Sequence, residues 1–237
     1  MKDAIVYHPV YSQLVRFSNR AQGRDKLVRL AQYVARLSLA LDPAQAARWR
    51  TLMGQLAMSR KIFRLGKPLS HSQLAAKALD NKQGDPSLRY SVLSRQSGMA
   101  SYFTHDGSNI LYQLKVSTPT KTMSGPIAQR RGFLFWTLAS SAGIAGGVYK
   151  SVGLAAQIRA SRKVTASKYS EAEDKIALEK ANTQVKEAVS QSIQDVCDIT
   201  IPTAGLYGSF TDGTVGAAGI ISSLLGFRTE WMASASR

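Results

Sequence analysis

Apolar and polar positions recur at helical spacing along most of the 237 residues, with no β-type alternation and no internal repeat. In residues 24–41, Leu27, Leu30, Ala31, Val34, Leu37 and Leu41 share one side, and Asp25, Arg29, Gln32 and Arg36 share the other. Asp42-Pro43 ends this helix, because a residue before proline avoids helical geometry. Its apolar face suits a bundle core and a bilayer equally. A helix over residues 52–67, bounded by Pro68, places Leu52, Met58, Ile62, Phe63 and Leu65 on one side, with Leu56 at the margin. Arg60, Lys61, Arg64 and Lys67 crowd the remaining arc, and no carboxylate interrupts them. Residues 80–86 are turn-rich. A helical pair is predicted over 88–102 and 108–116, and the polar stretch 118–126 reads as a hinge.

The second half is patterned differently. Residues 132–149 are eighteen positions without a charge, at the lower limit for a membrane span. Arg130, Arg131 and Lys150 flank the run, and Gly143 with Gly147 forms a GxxxG pair for close helix packing. From Ser170 to Asp198, Glu171, Lys175 and Glu179 stand four apart and support a helix. Leu178, Val185, Val189, Ile193 and Val196 make a narrow stripe on it, expected to pack within the chain. Residues 199–210 and 214–227 are two further apolar runs around Asp212, read as a re-entrant hairpin or one long helix. Asp212 then needs an interface or a polar interior. Ala218, Ser222 and Gly226 give a second small-residue packing ridge.

The pattern predicts an all-α, integral membrane helical protein with N-terminal amphipathic and C-terminal hydrophobic helices. Four regions are expected: a basic amphipathic region over 1–131 at the membrane surface, a membrane segment over 132–158, a charged amphipathic helix over 159–198, and a glycine-rich hydrophobic segment over 199–237.

Charge sharpens this picture. Lys and Arg number 31 against 15 Asp and Glu, and through residue 131 the count is 21 against 6. Such asymmetry implies a polyanionic partner. Nucleic acid would explain the charge but not the uncharged run, so an anionic phospholipid membrane is expected and nucleic acid is not. Leu52, Leu56, Met58, Ile62, Phe63 and Leu65 are then the candidate insertion residues, and Arg60, Lys61, Arg64 and Lys67 the candidate lipid contacts.

Little supports catalysis. His8, His71 and His105 lack metal-ligand spacing and read as surface or turn residues, and Cys197 is alone. Phosphate-loop and nucleophile-elbow motifs are missing from the sequence. No enzyme activity, metal or cofactor is expected.

Gly23, Arg24, Asp25 and Lys26, leading into a helix with the pair Gln32-Tyr33, resemble the opening signature of the peroxin-11 family of peroxisomal membrane proteins. Residues 59–67 are similar to the family's Arg-Lys-rich stretch, and residues 220–227 with Trp231 to its C-terminal end. The resemblance implies a factor that elongates the peroxisomal membrane before fission, using the amphipathic helix here at 52–67. It also implies self-association as a homo-oligomer, cooperation with a dynamin-related fission GTPase and its membrane adaptor, and cytosolic termini. A pore or solute channel of the same membrane is the alternative, with Ser140, Ser141, Thr211 and Asp212 as its few polar lining candidates.

Overall fold

The computed structural model describes residues 5–165 and 171–235, with side chains for 5–160 and 176–235. Among the described residues the fold is helical: α1 (Pro9–Asn19), α2 (Ala21–Leu41), α3 (Ala46–Phe63), α4 (Lys67–Asp80), α5 (Pro86–Gln113), α6 (Gly125–Thr165), α7 (Glu171–Tyr207) and α8 (Asp212–Ala235). Proline opens several of them, where its missing N–H costs nothing. At α5 the Asp85 carboxylate also accepts from the Ser87 and Leu88 N–H groups.

Several boundaries differ from those predicted. The basic helix is broken at 64–66, because Gly66 and Pro68 restart the chain as α4. The pair predicted over 88–102 and 108–116 is one 28-residue helix, with Gly107 carried in its interior. Helix α7 does not stop at Asp198 but continues through the buried Pro202 to Tyr207. The chain then turns at Gly208, whose φ of +65° suits glycine. A hairpin of α7 and α8 therefore replaces the long single helix, and Asp212 begins α8 with its carboxylate 2.8 Å from Arg36 Nε. The region boundaries at 131/132, 158/159 and 198/199 all fall inside helices. Two of the predicted charge pairs, Glu171–Lys175 and Lys175–Glu179, lie outside the described side chains.

The helices form a closed circuit. Packing runs from α2 to α3, from α3 lightly onto α5, from α5 (which also carries α4) through α6 and α7 to α8, and α8 returns to α2. Helix α1 lies against both α2 and α8. Phe17, fully buried, meets Phe227 and Trp231 with ring centroids 4.8 and 5.7 Å apart. The main apolar core gathers Tyr33, Tyr102, Phe103, Trp136, Ile201 and Val215.

The expected membrane span is corrected. Among the described residues no helix is both long and apolar enough to cross a membrane. Residues 132–149 lie within the 41-residue α6, diluted by Ser, Thr and Gly, and their inner side is used for packing. Trp136 and Ala139 are buried, Gly143 lies against Arg95 and Asp195, and Gly147 lies against Ser192 of α7.

Polarity is inverted on three helices. Asp25 and Arg29 of α2 are buried, while Leu27, Val34 and Leu41 face outward. On α7, Asp195 and Asp198 are buried, while Val189, Ile193 and Val196 of the predicted packing stripe are exposed. On α3, Arg60 is 6% exposed and Ile62 57%. Exposed leucine gains by further burial, and buried charge needs partners to offset its desolvation.

Candidate functional site

Where α2 to α7 converge, the inward charges surround a cavity of about 160 Å³. Helix α2 contributes Asp25, Lys26 and Arg29, three residues that share its inner side at spacings of one, three and four. Arg60 of α3 donates from Nε to Asp25 Oδ1 at 3.1 Å and from Nη1 to Gln32 Oε1 at 2.6 Å. Lys67 Nζ is 3.9 Å from the other Asp25 oxygen. Arg64 pairs with Asp106 at 2.9 Å and donates to the Tyr102 hydroxyl at 3.1 Å. Lys61 lies 4.0 Å from Asp106. From the opposite wall Asp198 and Ser222 accept from Arg29, and Asp195 accepts from Arg95.

These contacts set the protonation states. Burial would raise the Asp25 carboxyl, but Arg60, Lys67 and Arg64 outweigh it and hold it below the usual carboxylate range. Burial works against the charged form of Arg29 as well, and Asp198 more than restores it. Burial, joined by Arg29 and Lys67, pulls the Lys26 ammonium down to about 8. Asp195 is pushed up by burial despite Arg95.

The four cations predicted to meet lipid are therefore turned inward. Arg60, Lys61, Arg64 and Lys67 are engaged by carboxylates of α2 and α5, supplied from other parts of the chain rather than from their own helix. Leu52 and Ile62 of α3, Leu65 of the 64–66 connection and Leu69 of α4 are exposed, Leu69 at 78%. Leu56, Met58 and Phe63 are half-buried, and Arg24 lies 5.7 Å over the Phe63 ring. Ser222 and Gly226 are buried on the α2-facing side of α8, and Ala218 is half-buried. The pore candidates do not line one lumen: Ser140 faces the cavity, Ser141 and Thr211 face outward, and Asp212 pairs with Arg36.

Sequence reasoning misses the carboxylates as partners. It puts Asp25 and Arg29 on the polar side of α2, and the i, i+3 pair Asp195 and Asp198 is the available signal on α7. His71 is also not a surface residue. It is half-buried on the cavity wall, 2.6 Å from Gln96 Oε1 and stacked on Phe103. His105 is half-buried beside Phe135.

Among the described residues, helices that keep ion-paired charges inside and leucines exposed outside fit the class of proteins that work in contact with lipid. The comparisons agree: the chain belongs to the peroxisomal biogenesis factor 11 (PEX11) family, which it matches over residues 11–231. It is 33% identical over 236 residues to peroxisomal membrane protein PMP27 of Saccharomyces cerevisiae, covering 98% of this chain and 99% of the relative. It is 24% identical to peroxisomal biogenesis factor 11 of Schizosaccharomyces pombe, covering 98% and 99%. The Dictyostelium discoideum peroxisomal membrane protein 11 homolog is 26% identical, covering 95% and 96%. No solved structure matches significantly. The chain is thus a peroxisomal membrane protein of peroxisome biogenesis.

Proposed function

We propose that this chain elongates and remodels the peroxisomal membrane by laying the outer apolar side of α3 and α4 into one leaflet. The observation that carries the reading is the inverted stretch from α3 into α4, where cations turn inward and Leu52, Ile62, Leu65 and Leu69 turn outward. Complete burial of a leucine or isoleucine yields about 1.5–3 kcal/mol. Four half-exposed side chains therefore offer several kcal/mol before ordering costs, enough to hold a shallow wedge when many copies act together. Exposed Arg48, Arg50 and Lys77 on the same two helices supply the attraction to anionic headgroups in place of the inward cations. Self-association concentrates the wedges, and a dynamin-related GTPase with its membrane adaptor acts on the elongated membrane. Both termini face the cytosol in this reading.

Vesicles with anionic lipid test it. Wild-type protein is expected to draw them into tubules, whereas Ile62→Asp and Leu65→Asp leave them round at unchanged helix content by circular dichroism. Undiminished tubules from the double variant would remove the wedge.

A further inference from the structure

Six cations, Lys26, Arg29, Arg60, Arg64, Lys67 and Arg95, line the central cavity, but only three carboxylates do: Asp25, Asp195 and Asp198. Adding Asp106, which pairs with Arg64 from outside the lining, still leaves cations in excess among the described residues. Two of these cations have donors to spare. Arg29 is 8% exposed at its side chain, and its buried Nε has no hydrogen-bond partner among the described residues. No carboxylate among the described residues lies within ion-pair distance of Lys26. Buried positive charge left uncompensated is costly, and a buried unsatisfied donor adds to that cost. Tyr102, Phe103, Trp136, Met99 and Ala139 make the apolar part of the wall, and His71, Ser140 and Gln194 add its neutral polar groups. Its volume exceeds the 10–15 Å³ or so that a single water needs several times over.

We propose that this cavity is a binding site for a phosphate monoester or inorganic phosphate, held between Arg29 and Lys26 of α2 and Lys67 of α4. A doubly charged tetrahedral oxyanion supplies several acceptors at once, matching a guanidinium with a spare N–H and two ammonium groups. Chloride offers charge without that geometry. The site stands apart from the exterior wedge, because none of its residues is among the outward leucines. Either reading can fail alone.

The experiment uses the full-length chain in neutral detergent, with inorganic phosphate and chloride as free probes and binding read by calorimetry. A parallel arm uses nanodiscs containing phosphatidic acid, a monoester headgroup, or phosphatidylglycerol, a diester. Saturable binding of inorganic phosphate over chloride, or of phosphatidic acid over phosphatidylglycerol, supports the site and says which source fills it. Lys26→Met is expected to weaken that binding roughly tenfold or more, as the loss of one charge-assisted hydrogen bond does. The change orphans no carboxylate among the described residues, so this variant keeps its fold, which circular dichroism verifies; Lys82→Met in the exposed turn between α4 and α5 is the control. Unaltered affinity in Lys26→Met, or equal affinity for both members of each probe pair, would overturn the proposal.

Discussion

Asp198 shows how single residues are fixed here. Its carboxylate accepts from Arg29 and from the Ser222 hydroxyl, joining α2, α7 and α8 at one buried point. Asp198→Asn is expected to leave the Arg29 guanidinium without a counter-charge and to destabilise the fold by about 3–5 kcal/mol. The double change Arg29→Met with Asp198→Leu is expected to recover most of it, as read by denaturant unfolding in detergent. Sequence reasoning places Asp25, Arg29, Arg60 and Arg64 on polar sides correctly but gives none of them its partner. Those partners lie 35 to 169 residues apart along the chain, as with Arg60 to Asp25 and Arg29 to Asp198. Spacing within one helix cannot report them.

Among the elements, the contact of α2 with α8 depends on small residues. Gly216 lies against the Leu37 backbone, and Gly219 lies flat on the Tyr33 ring. Gly216→Leu is expected to push the helices apart and cost roughly 1–3 kcal/mol or more, measured as a lowered unfolding midpoint. The ridge is legible in outline, since Ser222 and Gly226 do face α2, but its contacts centre one turn or more earlier. Turns with proline and glycine are legible too: 80–86 and the 118–126 region both separate helices. The continuous α5 and the passage of α7 through Pro202 are not, because local breakers at Gly107 and Pro202 are overruled by packing on either side.

At the scale of the whole molecule, the sum of buried cations controls stability against pH. Burial lowers Lys26 to about 8 and also lowers Lys61 and Lys67. Between the folded and unfolded values the unfolded chain binds more protons, so stability rises with pH from about 8 upward. Burial raises the Tyr102 hydroxyl above its ordinary value of 10.0, which reverses the trend beyond that point. Unfolding midpoints at about pH 7.5 and 9.5 in the same detergent check the sign: the higher pH is expected to be the more stable. Asp25, held low by Arg60 and Lys67, loses its contribution in acid as pH falls through its folded value. The all-α class is legible from periodicity, but the direction of the faces is not. Helical spacing segregates apolar from polar positions in the same way whether the apolar side meets a core or a lipid, so Leu27 and Ile62 suit either direction equally.

The circuit closed by α8 on α1 and α2 makes chain order dispensable. Gln13 donates to the Trp231 carbonyl at 2.9 Å, and Arg16 donates to that of Ser234 at 3.0 Å. Gln13 and Arg16 therefore sit beside Trp231 and Ser234, more than 200 residues on in the chain. A circular permutant that links the two ends and opens new ones in the 114–124 loop would keep every helix-to-helix contact while moving its tags to the far side of the ring.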